Sequence, residues 1–403
     1  MLTRFSLYGF LKNQRYFEPF LILVFLEKGL SFFEIGLLIG FREICINLFE
    51  IPSGAAADLY GRRRAMMFSF LNYIVSFIIF ALSNSVALLC LAMLFFAIGD
   101  SFRTGTHKAM IFDWLKREGR ESEKTKIYGF TRSWSKKGSA VSVFIASGLV
   151  FYSGEYGDIF LYSIPPYLVA IWNFWHYPNY LDGEKQADIS IRKVGAHFID
   201  GLKLTWRSTN LRRLTIEAMA FEGVFKTVKD YLQPVLQGAA LALPFLMSLP
   251  GEKRTALLVG GVYFALYIAS ATASRQAHRL LNLRDNVIHA SKWLWQFYLA
   301  VFLLMLAGLG FGWLFLAVVG FIAINILQNF WRPIIVSRFD DHAPPEKGAT
   351  ILSIESQSRS FVTMLLAPVL GLLVDVWGLT PVAFAGIVSC SIILAGYYGK
   401  TDR

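Results

Sequence analysis

Asp100, Arg103, Thr104 and His107 follow an uncharged run, ALLCLAMLFFA, and recur at helical spacing. At about 100° per residue the four side chains share roughly 100° of arc, with Phe102, Ala109 and Phe112 turned away. A carboxylate, a guanidinium, a hydroxyl and an imidazole on one helix face can do two kinds of chemistry. They can hold an anion through charge-assisted hydrogen bonds, and they can take up or release a proton near neutral pH. The same kind of face appears at Tyr8, Lys12, Arg15 and Glu18, and again at Arg132, Ser135, Lys136 and Ser139. Later in the chain it returns at Glu222, Lys226, Lys229 and Gln233, at Asn325, Gln328, Asn329 and Arg332, and at Glu355, Arg359 and Thr363.

The elements that carry these faces are apolar. The chain has 403 residues, of which 55% are hydrophobic and 17% charged, whereas a soluble domain carries roughly 25% charged residues. Its apolar residues come in blocks of about 18 to 25, long enough as helices to cross a hydrocarbon core of about 30 Å. Twelve blocks fall at 5–26, 34–57, 65–83, 86–113, 128–152, 160–177, 212–235, 255–274, 288–311, 313–336, 349–374 and 380–398. The expectation is an all-α integral membrane protein, multi-pass, with the lipid bilayer as its first partner. The first block, interrupted by Lys12, Asn13, Gln14 and Arg15 and followed by no small-residue cleavage site, is expected to stay as a helix. Cys45, Cys90 and Cys390 lie inside apolar blocks at no metal-ligand spacing and read as small core residues, so no metal or cofactor is expected.

Loops on one side carry Arg62, Arg63, Arg64, Lys116, Arg117, Arg120, Lys124, Lys126, Arg192, Lys193, Arg212 and Arg213; the opposite loops carry Lys28, Lys253 and Arg254. That asymmetry predicts both termini in the cytoplasm, with the chain in the cell (inner) membrane. It also accounts for the net charge of +11 without nucleic acid as a partner. The longest polar connection divides the chain into residues 1–178, a linker at 179–211 and residues 212–403. Within the linker, Val194, Phe198, Leu202 and Trp206 fall near one face of an amphipathic helix suited to the membrane surface. Segments 86–113 and 313–336 share an outline, apolar first and polar toward one end, a faint internal repeat.

Between the second and third blocks the chain reads EIPSGAAADLYGRRRAMM. Gly54 allows close helix approach, Asp58 at a helix end can accept hydrogen bonds, and Arg62, Arg63 and Arg64 hold the loop at an anionic surface. Gly54, Asp58, Gly61 and the arginine triplet match, position by position, the signature loop of the major facilitator superfamily, which the chain resembles along its whole length. The resemblance implies twelve transmembrane helices as two six-helix bundles related by a pseudo-twofold axis. It implies secondary transport by alternating access, with Asp58 and the arginines gating the halves. It also implies that segments one, four, seven and ten line a central cavity, with two, five, eight and eleven beside them. The charged faces lie on segments of those groups, while segments three, six and twelve carry almost no charge. The chain departs from the family in its second half, where the corresponding loop keeps only Arg275, Arg279 and Arg284. Segment five, RSWSKKGSAVSVFIASGLVF, has Gly138 and Gly148 but lacks the proline of the drug/proton antiporters.

Within the first six spans the cations Lys12, Arg15, Arg42, Arg103, Lys108, Arg132, Lys136 and Lys137 outnumber Glu18, Glu43, Glu50 and Asp100. Spacing pairs Arg15 with Glu18, Asp100 with Arg103, and Glu222 with Lys226. The remaining cations predict a small anionic solute, bound by Lys12, Arg15, Asp100, Arg103, His107, Arg132, Lys136, Lys226, Asn325, Asn329, Arg332 and Arg359. Glu18, Glu43, Glu222 and Glu355 are the candidates for proton coupling, protons being the expected coupling ion. Pro234 and Pro333 are expected to bend segments seven and ten. The rival readings are a proton-driven efflux pump for drugs or other lipophilic compounds, and a membrane sensor or scaffold that kept the fold and lost transport; in each case the protein is expected to be a monomer. An enzyme is not expected, because no Walker loop, zinc spacing or GxSxG elbow occurs.

Overall fold

The protein was analysed as a computed structural model that describes residues 1–183, 191–244, 247–282, 287–344 and 347–398. It is helical throughout these residues, as apolar blocks in lipid must be, since a helix satisfies its own backbone groups. The described helices fall into twelve successive segments. The first six are α1 (Leu2–Leu11) with α2 (Leu21–Glu27), α3 (Phe32–Tyr60), α4 (Arg62–Leu82), α5 (Val86–Arg103) with α6 (Thr106–Arg117), α7 (Lys124–Ser153), and α8 (Ile159–Tyr162) with α9 (Ile164–Trp175). After the linker helix α10 (Ile191–Arg207), the seventh segment is α11 (Thr209–Ala218), α12 (Val224–Val228) and α13 (Leu232–Ala242). The last five are α14 (Gly251–Asn282), α15 (Val287–Gly310), α16 (Leu314–His342), α17 (Gly348–Trp377) and α18 (Thr380–Tyr398). Among the described residues seven helices are long and apolar enough to cross a bilayer by length and composition alone. Segments one, two, five, six and seven are not among them: the sixth is a shorter apolar helix, and the others are broken or carry charged residues.

The chain packs as two compact units. One comprises Met1–Gly29 with Phe41–Gly195; the other comprises Leu30–Gly40 with the chain from Ala196 onward. In the second unit the first turns of α3 lie hard against α17. A Cβ on Gly371 would sit 2.1 Å from the Phe32 carbonyl oxygen, and one on Gly36 would sit 2.3 Å from that of Ala367. The Asp375 carboxylate closes this seam by accepting from the Phe32 and Phe33 amides at 2.9 and 2.8 Å, a cap on the α3 N-terminus.

Three segments differ from the uninterrupted spans expected of them. Segment one stops at Leu11 and resumes as a helical turn at Glu18, because Asn13 and Gln14 compete for its backbone. Asn13 Nδ2 donates to the carbonyls of Gly9 at 3.1 Å and Ser135 at 2.8 Å. Gln14 Nε2 donates to those of Phe10 at 3.3 Å and Gly138 at 3.1 Å. Each amide thus caps α1 and fastens it to α7, which approaches so closely that a Cβ on Gly138 would lie 2.5 Å from the Phe10 oxygen. Segment four breaks at Thr104–Gly105, where Gly105 takes φ +79°, a left-handed conformation open to glycine. Segment seven contains a π-helical turn, Met219–Gly223. Pro333 lies inside the continuous helix α16, and so do Pro52 in α3 and Pro368 in α17.

Of the linker, residues 184–190 lie outside the described residues, as do the side chains of Arg192, Lys193 and Val194. The helix α10 turns Gly201 and Thr205 inward, the glycine against Thr350 and Ile354, and leaves Leu202 and Trp206 exposed. The side chains of Arg275 and Arg279, and the whole of Arg284, are likewise not described.

Candidate functional site

The break in segment one frees backbone groups that side chains from other segments of the first unit then take up. The Tyr167 hydroxyl donates to the Lys12 carbonyl at 3.2 Å and accepts from Arg15 Nε at 3.0 Å. Arg15 Nη2 reaches Asp100 Oδ1 at 3.2 Å and the Tyr73 hydroxyl at 2.8 Å. Arg103 binds the same two groups, Asp100 Oδ1 at 2.9 Å and Tyr73 at 3.0 Å, and the Tyr73 hydroxyl donates to Asp100 Oδ1. The pairing of Asp100 with Arg103 is the one spacing predicted. Arg15 also finds Asp100 on another segment, a contact that spacing did not predict; Glu18 is exposed at the start of a helical turn.

In front of this cluster lies a cavity of about 440 Å³, lined by residues of α1, α6, α7 and the segment-four break. Lys12, Arg103, His107, Lys108, Arg132 and Lys136 all reach its wall, together with Asn13, Ser135 and Ser139, and among the described residues no carboxylate does. Lys12 Nζ stands 5.4 Å from the centre of the Tyr8 ring, a cation–π contact. Among the described residues Lys12, Arg132 and Lys136 form no ion pair. His107 stacks on Tyr8 with ring centres 3.8 Å apart and meets Phe5 edge-on at 5.4 Å. Its Nε2 has no hydrogen-bond partner. Of the substrate-binding residues expected in the first half, five therefore share one wall, while Arg15 and Asp100 stand behind it and hold Arg103 in place. Glu43 is fully buried and pairs with Arg42 at 2.9 Å.

The second unit gathers a different cluster. Glu355, fully buried, receives Arg332 Nη1 at 2.7 Å and Nη2 at 3.2 Å, and lies 2.8 Å from Arg359 Nε. Arg359 Nη1 also reaches Glu222 at 3.3 Å, and Gln328 donates to Glu222 at 3.3 Å. Glu222 sits in the π-helical turn, a feature that recurs at functional sites. Lys226 donates to Ser360 at 3.3 Å. Asn325 and Asn329 turn their amides onto the carbonyls of Phe321 and Asn325, one turn back on their own helix. A further buried network, absent from the sequence expectations, joins Arg338 to Glu217 at 2.6 Å and Tyr397 to Glu217 at 2.8 Å.

The signature loop folds onto the first unit. Arg62 donates to Asp58 at 3.1 Å and pairs with Asp113 of α6. The Arg63 amide and side chain hold Asp182 and the Tyr177 carbonyl, and Arg64 is exposed. Gly61 adopts φ +101°, and a Cβ there would meet the Asp182 carboxyl at 2.9 Å. Around Gly54 no atom of the described residues is recorded within 4 Å of where a Cβ would be.

Sequence reasoning missed Tyr73, Tyr167, Asn13, Gln14 and Asp182. The tyrosines lie in blocks read as purely apolar, and only their hydroxyls, at an apolar depth where each needs a partner, could have marked them.

Broken helices whose charged side chains converge on a cavity, in a chain of apolar spans, mark a polytopic membrane protein with a polar site inside one unit. The chain belongs to the Major Facilitator Superfamily, whose sequence model matches residues 13–362. It is similar to the uncharacterized MFS-type transporter YxaM of Bacillus subtilis (strain 168), with 26% identity over 261 residues, 62% of each chain. The match thus spans less than two thirds of that relative. Among solved structures it resembles the nucleoside transporter NupG, with a TM-score of 0.77, 12% identity, and coverage of 99% of this chain and 97% of that one. It also resembles a POT family transporter in complex with 5-aminolevulinic acid, with a TM-score of 0.75, 15% identity, and coverage of 100% and 96%. At these identities the structural likeness shows the shared fold.

Proposed function

We propose that the protein is a secondary active transporter that moves a small anionic solute across the cell membrane by alternating access, coupled to protons. The observation that carries this reading is the cavity wall of the first unit, where Lys12, Arg103, Arg132 and Lys136 meet polar side chains and no carboxylate. A wall that gathers several cations attracts negative charge, so it favours an anionic ligand. Proton coupling is assigned to Glu222, which Gln328 and Arg359 reach at 3.3 Å each, in preference to Glu355, which two arginines hold tightly. Both termini are taken as cytoplasmic, following the cation-rich loops. The signature loop, with Asp58, Arg62 and Arg63 already engaged in ordered contacts, is assigned the gate.

The test is uptake into proteoliposomes from a panel of labelled organic anions under an imposed pH gradient of either polarity. Accumulation of an anion, lost when the gradient is collapsed, supports the reading. Movement of lipophilic cations alone would overturn it in favour of efflux of lipophilic compounds. That second reading draws on an apolar cleft of about 590 Å³ in the second unit, lined by Val224, Leu370, Trp377 and Phe384.

A further inference from the structure

Several cations line the cavity of the first unit. We propose that it binds a solute bearing at least two negative charges, with one oxyanion group seated at the break between α5 and α6; this rests on the reading of the cavity as an anion site. Asp100 is already shared by Arg15 and Arg103, so it offers nothing to the other cations. Lys12, Arg132 and Lys136 line the cavity with no ion pair among the described residues. A monoanion would neutralise one of them, whereas a solute with two or more negative charges would meet Lys12 and the neighbouring Arg132 and Lys136 at once.

The break supplies the second observation. The helix α6 begins after Gly105 with no side-chain cap, and the amides of Thr106, His107 and Lys108 have no acceptor among the described residues. Such an N-terminus favours an oxyanion through its free amides and its dipole. His107, only 8% exposed, lines the same cavity with its Nε2 unpartnered. The stack of His107 on Tyr8 fixes that ring beside the amides, and Arg103 flanks them from the preceding turn. The second negative group would then lie toward Arg132 and Lys136, which stand one turn apart on α7.

Thermal stabilisation of the purified full chain by matched probes tests this. The pairs are propionate against succinate, and glycerol against glycerol phosphate. Concentration-dependent stabilisation by succinate or glycerol phosphate, at least ten-fold tighter than by propionate, is expected. It should weaken at least ten-fold in Arg132→Gln and in His107→Phe, the latter keeping the ring stack but losing Nε2. If either variant fails to fold, Lys136→Gln carries the same comparison. Equal binding of propionate and succinate would overturn the inference while leaving an anion site intact. Absence of binding by every anion would overturn both readings. Dianion binding undiminished in all folded variants would place the site elsewhere and overturn the proposal. If succinate binds and glycerol phosphate does not, or the reverse, the dianion proposal stands and the oxyanion is identified as carboxylate or phosphate.

Discussion

Arg15 and Arg103 converge on a single oxygen of Asp100, at 3.2 and 2.9 Å, from two different transmembrane segments. The Tyr73 hydroxyl bridges both guanidinium groups, so one carboxylate and one phenol position two cations behind the cavity wall. Removing the carboxylate would leave two arginines repelling each other in a largely apolar setting. Asp100→Asn is therefore expected to destabilise the protein by about 3 kcal/mol or more, the cost of breaking a buried pair from one side. Melting of the purified variant checks this. The double variant Arg15→Gln, Asp100→Asn should recover part of the loss, and strict additivity would argue against the shared-oxygen arrangement.

The interruption of segment one depends on two neutral amides. Asn13→Ala and Gln14→Ala each remove two hydrogen bonds to backbone carbonyls. Each bond is worth about 1 kcal/mol net, so a loss of roughly 2 kcal/mol per variant is expected. The Gln14 variant should show the larger effect because its amide is buried and its backbone partners would be left without water. Because α1 is fastened to α7 through these amides, transport should fall in both variants even where folded protein is recovered. Full activity with unchanged melting in Asn13→Ala would show that the break does not depend on it.

The twelve spans and the charged faces were legible from block length and helical spacing alone, because a membrane imposes both. Spacing also found the Asp100 and Arg103 pair, since neighbours three apart on one helix need no knowledge of the fold. It could not find the Arg15 and Asp100 contact, which joins residues 85 positions apart. Nor could it find the break at Asn13, because an Asn–Gln pair in an apolar run reads equally well as polar residues on a continuous helix. Only the approach of the Ser135 and Gly138 carbonyls on α7 decides the matter. The role of Tyr73 and Tyr167 was hidden for a related reason: a tyrosine counts as apolar in a hydropathy pattern, and its hydroxyl declares itself only when a charge is brought to it.

In the second unit the two carboxylates are expected to behave differently. Glu355 is locked by Arg332 and Arg359, whereas Glu222 is held by a single arginine contact at 3.3 Å and an amide. Glu222→Gln should keep folded protein and exchange of solute between identical compartments, but lose accumulation driven by a pH gradient. Glu355→Gln should reduce the yield of folded protein, because it weakens an ion pair with two guanidinium groups in a buried place. Paired measurements of counterflow and gradient-driven uptake separate these outcomes. Gradient-driven accumulation that survives in Glu222→Gln would remove the residue from the coupling step.

The signature loop offers a sharper contrast, because its two glycines stand in opposite circumstances. Gly61 has φ +101° and its missing Cβ makes room for the Asp182 carboxyl, which in turn caps Arg63. Gly61→Ala must strain the backbone, at about 1 to 2 kcal/mol, and displace Asp182 as well. Gly54 lies within α3 with open space where a Cβ would be, so Gly54→Ala should leave stability unchanged or raise it by up to about 1 kcal/mol through helix propensity. Transport then decides what the glycine is for. If Gly54→Ala melts normally and transports normally, the position is free in every state of the cycle. If it melts normally but transport fails, a helix must reach Gly54 in a conformation other than the one described, as expected of a gate whose contacts form and dissolve during alternating access.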